Sequence, residues 1–208
     1  MTTTNIPITF MDIDNHSFYF TAEDDGLEED TFNKSVKFSV HEIQSMDQKI
    51  LTLNKEENKF LFQCLTDKER CEHKFECKFT IHIYQSNSRE SIVGRPVMLY
   101  ANKGEEKMVA CCHGNCEIQA EAMKLPNKVD ATADKALFYM KELASTDTVV
   151  FESALYRNHF LGFQRDEKNP WQHKLVLIQQ VDGTDSRNEF LKLPPHSCCS
   201  GGGAKSTG

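Results

Sequence analysis

Between Phe75 and Tyr84 the sequence reads FECKFTIHIY, with Phe75, Cys77, Phe79, Ile81 and Ile83 at every second position. A period of two is the repeat of an extended strand, whose successive side chains leave opposite faces of a sheet. It predicts a strand with one buried face and one wet face, and no sustained helical period competes with it. Short runs of the same kind recur as SVKFSV, KILTLN, KFLFQC, PVMLYA, KMVACC, CEIQAEA, ALFYMKE, TVVFES, HFLGF, KLVLIQQ and NEFLKL. With FECKFTIHIY they make about twelve strands, separated by polar or Gly/Pro-containing turns at the spacing of an all-β barrel or sandwich. Helix is expected to be scarce, with one turn near Val129 to Lys135, VDATADK.

The chain has 208 residues, 39% of them hydrophobic, enough for the core of one ordinary domain. Composition divides it into an acidic leader over residues 1–30, a body over 31–193, and a tail over 194–208. The tail, PPHSCCSGGGAKSTG, has no apolar period and is expected to be disordered. The leader contains Asp12, Asp14, Glu23, Asp24, Asp25, Glu28, Glu29 and Asp30 and no Lys or Arg. It therefore carries −8 of a net −7 and leaves the rest of the chain at +1, a nearly neutral body. Neither balance offers the broad basic face that nucleic acid requires. No run of about 18 apolar residues occurs, so membrane insertion is not expected. The N-terminus has neither a basic n-region nor an unbroken apolar core, which points to cytoplasmic synthesis and to reduced rather than disulfide-bonded cysteines.

Catalytic signatures are absent from the sequence: there is no Gly-rich phosphate loop, no G-x-S-x-G and no H-E-x-x-H. The chain is therefore read as a non-enzyme without a cofactor. The competing chemistry is CCHGNC, where Cys111, Cys112, His113 and Cys116 gather soft ligands, with Cys71, His73 and Cys77 nearby in sequence. Zinc takes four tetrahedral ligands, usually from regularly spaced pairs, and these spacings are irregular. The favoured reading is that such cysteines are small strand residues of a reduced core. The single Trp171 cannot supply three equivalent aromatic platforms for sugars.

At Val149 to Phe163 the chain reads VVFESALYRNHFLGF, and its segment FESALYRNHFL resembles the signature of the interleukin-1 cytokine family. It departs from that signature at Arg157, often Pro in the family, and at Phe163, often Thr, which separates it from the interleukin-1 branch itself. DQKILTL, LFQCLTDKERC, IHIYQ, DKALFYMKE and HKLVLIQQ support the same resemblance in the expected order, over about residues 31 to 193. The resemblance implies a β-trefoil, a twelve-stranded closed barrel with a hairpin cap. It also implies a pro-inflammatory cytokine precursor that drives interferon-gamma-type immune signalling after release by a route independent of a signal peptide. A receptor-binding antagonist of the same fold and an intracellular zinc-binding or β-trefoil interaction module are the alternatives.

The same resemblance makes LEED, ending at Asp30 and followed by Thr31, the expected cut site of a caspase-1-type protease. Such a cut needs an aspartate whose carboxylate arginines can hold bidentately, and Leu27 supplies an apolar group four residues before the cut. Asp25, with Ala22 in the equivalent place, is the rival. Expected partners are a receptor of alpha-type and beta-type chains and a soluble binding protein. For the first receptor chain the carried-over positions are Lys34, Asp47, the pair Leu65 and Asp67, Lys141, and either Arg89 or Arg95. For the second, Asp134 lies beside Lys135 where an acidic contact is expected, and Glu121 falls near a position where a lysine is expected.

Overall fold

The computed structural model describes residues 8–14, 17–22, 31–86, 94–130, 134–143, 147–166, 169, 171–179 and 190–194, the first two stretches as backbone alone. Leu27, Asp30 and Arg89, and the tail beyond residue 194, lie outside the described residues. In the leader, β1 (Ile8–Asp14) and β2 (Ser17–Ala22) pair antiparallel as a separate two-stranded sheet, elements that the sequence reading does not assign.

The other fourteen strands share one sheet. They are β3 (Thr31–His41), β4 (Gln44–Ser45), β5 (Ile50–Asn54), β6 (Lys59–Gln63), β7 (Phe79–Ser86), β8 (Arg95–Lys103) and β9 (Glu106–Cys112), followed by β10 (Ile118–Ala122), β11 (Lys128–Asp130), β12 (Phe138–Glu142), β13 (Thr148–Ser153), β14 (His159–Arg165), β15 (His173–Gln179) and β16 (Leu191–Lys192). Every expected strand of the body has a counterpart among them. A closed ring runs from β13 through β14, β15, β6, β5, β4 and β16 back to β13. Closure spares these seven strands the unpaired edges of an open sheet, while β10 and β11 branch from the rest of the sheet, paired with β9 and β3.

Inside lies a core whose fully enclosed members include Leu51, Phe62, Phe79, Leu99, Phe138, Phe151 and Leu161. Burying each such side chain contributes about 1.5–3 kcal/mol. A second core covers the other face of part of the sheet, built from Phe32, Tyr84, Met98, Tyr100, Val109, Leu125, Val129, Leu137 and Tyr139. The strands between the two cores bury alternate residues in each. On β8, Val97, Leu99 and Ala101 enter the first while Met98 and Tyr100 enter the second. On β9, Met108, Ala110 and Cys112 oppose Val109 and Cys111 in the same way. The described members of both cores lie between residues 32 and 193.

Three sequence expectations change. The strand expected from Phe75 begins at Phe79, because the N–H groups of Glu76 and Cys77 bond back to the His73 carbonyl at 3.0 and 3.2 Å and wind that segment into turns. Phe75 is consequently 77% exposed. The expected wet face of this strand is buried too, since Thr80, His82 and Tyr84 lie on it. Val129, where the expected helical turn begins, pairs in β11, residues 131–133 of that turn lie outside the described residues, and helix is found in α1 (Asp67–Glu72). There the Thr66 side chain accepts the Glu69 N–H, and Glu69 Oε2 accepts the Thr66 N–H at 2.8 Å, a capping box legible in the sequence as T-x-x-E. Among the described residues no helix is long and apolar enough to cross a membrane.

Candidate functional site: polar surfaces of the body

The most elaborated polar surface is built on the turn between β4 and β5. Gln48 takes a positive φ of 65°, which folds the chain so that Ser45 N–H meets the Lys49 carbonyl at 2.9 Å. Ser45 Oγ donates to Asp47, and Lys49 Nζ donates to the other oxygen of that carboxylate at 2.6 Å. Lys49 also lies 2.7 Å from His173 Nε2, and the His173 ring stacks on Phe163 with centroids 5.6 Å apart. Burial and the Lys49 ammonium both push the His173 pKa below the ordinary imidazole value, so the ring accepts from Lys49 as a neutral base. At Asp47 burial opposes ionisation, but hydrogen bonds from Lys49 and Ser45 and the neighbouring positive charge outweigh it and hold the carboxyl below its usual range.

These residues line a shallow depression of about 480 Å³ with Cys64, Arg165 and Trp171. Trp171 is 83% exposed. Leu65, half-buried, follows Cys64, and Asp67 opens α1 with its side chain fully in solvent. Of the residues carried over from sequence, Asp47 alone lines this depression, while Leu65 and Asp67 follow Cys64 in the chain. Trp171, Arg165, Lys49 and His173 were missed there. The available signal was an aromatic alone among polar residues, KNPWQHK, which no apolar period draws inward.

Arg95 and Lys141 lie together on neighbouring strands, and Lys34 stands on β3. Arg95 on β8 faces Met140 of β12, next to Lys141, and its guanidinium lies 3.3 Å from Glu142. Lys141 Nζ is 2.9 Å from Glu152, which is only 8% exposed and also accepts the Asn158 N–H. Lys34 is exposed where β3 bulges: Lys34 pairs with Tyr84 but Phe38 with His82, so β3 carries two extra residues between those pairs. Ser35 Oγ restores the ladder by donating to the Ile83 carbonyl at 2.7 Å and accepting the Lys37 N–H. The bulge pushes Val36 out to 92% exposure, and Phe38 stacks over His82.

On a third face Asp134 Oδ1 accepts the Ala136 N–H at 2.8 Å, and Lys135 Nζ bonds both oxygens of Glu121 at 2.7 Å. Glu121 is also bonded to His113 Nε2. The Lys135 hydrogen bond is the main cause of the lowered Glu121 pKa, with burial opposing and His113 assisting. The CCHGNC cysteines do not converge, since Cys111 and Cys112 point to opposite cores and Cys116 is exposed. Burial raises the Cys111 thiol to about 12 and that of Cys112 to about 11. Among the described residues no group of three or more His, Cys, Asp or Glu is placed to hold a metal ion.

The family model described as Interleukin-1 / 18 matches residues 68–188. The chain belongs to the interleukin-1/18 family. This is a cytokine family and not an enzyme family, so the surfaces above are read as binding faces. The chain is 28% identical to interleukin-18 of Rattus norvegicus over 187 residues, covering 89% of this chain and 91% of that one. It is 24% identical to interleukin-18 of Mus musculus over 186 residues, with the same coverage. The crystal structure of chicken cytokine interleukin 1 beta superposes with a TM-score of 0.56 at 19% identity, over 79% of this chain and 99% of that one. The fold of this interleukin-1/18 family member is accordingly the all-β trefoil.

Proposed function

We propose that this family member is the precursor of an interleukin-18-like pro-inflammatory cytokine, activated by a caspase-1-type protease that cuts after Asp30. The trimmed body, from Thr31 onward, then engages interleukin-18 receptor alpha-type and beta-type chains and triggers interferon-gamma-type signalling. The observation that carries this reading is similarity to interleukin-18 along 89% of the chain, joined to a depression that brings Asp47 together with an exposed Trp171. Interface energy concentrates in a few anchors, with Trp prominent among them, surrounded by charges that set register and on-rate. Asp47 is held in one place by Ser45 and Lys49, so it meets a partner without further ordering cost.

The leader, 1–30, is the propeptide in this reading. Its loss removes eight negative charges in one irreversible step and unmasks a nearly neutral body. The precursor is cytoplasmic, and the mature form leaves the cell by a route independent of a signal peptide. A soluble binding protein competes for the surface around Asp47.

One observation supports a second reading, a receptor-binding antagonist of the same fold. On the third face Glu121 and Lys135 neutralise each other, which reduces the charge that face offers to a second receptor chain. Exposure of the full chain to a caspase-1-type protease, followed by N-terminal sequencing, is expected to yield a body beginning at Thr31, and Asp30→Ala is expected to stay uncut. Normal cleavage of Asp30→Ala would move the site to Asp25 or remove it. Signalling by the cut form in cells bearing both receptor chains separates agonist from antagonist.

A further inference from the structure

The bulge of β3 rests on a buried histidine. His82, on β7, is 7% exposed, and its Nε2–H donates to the Ser35 carbonyl at 2.9 Å, a bond that a neutral imidazole makes with its single proton. Phe38 stacks on the ring with centroids 6.4 Å apart, and Tyr84 meets it in a T-shaped contact at 5.7 Å. Tyr84 is tied in turn to the Pro126 carbonyl at 2.8 Å. The segment supported by this ring has few other ties. Between the Lys34–Tyr84 and Phe38–His82 pairs, Ser35, Val36 and Lys37 make no ladder pair with β7, and Ser35 Oγ holds them through the Ile83 carbonyl. Val36 and Phe38 are exposed, so burial adds little there. A segment with so few buried contacts can open at a fraction of the global unfolding cost.

The charges acting on His82 come from Lys34 on β3 and Lys107 on β9, and both are positive. Lys37 adds a third exposed ammonium to the bulge itself. Opposite the ring on β8, Met98 brings no charge, and on its own strand Tyr84 stays a phenol, its ionisation pushed up by burial. Burial chiefly, with the two lysines, therefore holds the imidazole below its ordinary 6.5, against the Ser35 carbonyl, which favours the charged form.

We propose that His82 is a proton-operated latch: neutral, it holds the Ser35–Phe38 segment against β7, and protonated it releases that segment while the rest of the sheet stays paired. Opening lets the imidazolium reach water. The sign follows from linkage. The closed form is fully favoured above the ordinary 6.5 and is lost as pH falls through the lower value of the closed state. For a partner the consequence rests on the reading of Lys34, at the edge of the bulge, as a contact for the alpha-type receptor chain: the face is shaped for binding at neutral pH and released in acid.

The full chain, labelled for NMR, tests the latch without a receptor. On titration from about pH 7.5 to about 5, the Phe38–His82 ring contact is expected to fade. Protection of the Lys37 amide, which donates to Ser35 Oγ, is expected to fall by up to about tenfold per pH unit below about 6.5. Amides of β8, which feeds both cores, are expected to keep their protection. His82→Gln keeps a donor but takes up no proton, so its bulge signals are expected to be the same at every pH in that range. Lys37 protection that does not change with pH, loss in β8 in step with the bulge, or acid opening of His82→Gln would each overturn the latch. Failure of the alpha-type chain to bind at neutral pH, with the bulge still titrating, would instead refute the receptor reading of Lys34 and leave the latch.

Discussion

Asp47 and Asp67 carry the same charge in opposite circumstances, and the difference decides what their substitution reports. The Asp67 side chain stands in solvent with Arg70 3.7 Å away, an exposed pair of the kind worth little. Asp47 holds Ser45 and Lys49 in place, so truncating it removes the carboxylate both donate to and leaves Lys49 with His173 as its acceptor. Trp171→Ala and Asp67→Ala are therefore expected to leave Tm within about 1–2 °C of the parent, as exposed substitutions do. Trp171→Ala is expected to weaken binding to the alpha-type receptor chain by about tenfold or more. Asp47→Ala is expected to lower affinity and Tm together, measured by surface binding and thermal melting on the same preparations. Unchanged affinity in all three variants would remove this surface from the receptor interface. Identity and charge at these positions were legible in the sequence, but their pairing was not. Nothing in the letters shows that Lys49 joins a turn to a histidine 124 residues away.

Strand positions were legible for a simple reason: each short apolar run is bounded by polar turns, and each became a strand of the body. The second core was not. A strand buried on both faces can lose the alternation that distinguishes inside from outside, as β8, β9 and β12 do, while β7 keeps it and buries the polar Thr80 and His82 on its other face. The bulge in β3 was hidden for a related cause, since SVKFSV alternates as well as any strand while its Val36 and Phe38 face solvent. α1 was overlooked because it has no buried residue and so no apolar period, although its capping box was in view. That box is expected to hold the helix: Thr66→Ala should cost about 1 kcal/mol locally and accelerate amide exchange over residues 67–72, with little change in global Tm. Unaltered exchange there would show that tertiary contacts, including the Arg70 to Glu42 pair, hold the helix without its cap.

For the whole molecule the titrating groups define a window of maximal stability. His82 and His173 have pKa values depressed chiefly by burial, so the unfolded chain takes up their protons first as pH falls below the ordinary 6.5. Their contribution is complete above that value and is lost through the lower folded values. Asp47, Glu76, Glu121 and Glu152 are also depressed, and their loss follows below the ordinary 3.8 and 4.5. On the alkaline side the buried thiols of Cys77, Cys111 and Cys112 are raised from 9.0 to about 11, 12 and 11. There the unfolded chain releases protons first, and stability falls as pH rises past 9. The urea midpoint of reduced protein is thus expected to be highest between about pH 6.5 and 9. A midpoint that rises on acidification from about pH 7 to about 5.5 would contradict the buried histidines. At this scale the closed barrel presents binding faces and the acidic leader precedes them. The deciding measurement is binding of an interleukin-18 receptor alpha-type ectodomain to the full chain and to the chain beginning at Thr31, at matched concentrations. Tight binding by the trimmed form alone is the predicted result, and equal binding by both forms, or none by either, would contradict a cytokine held inactive by its leader.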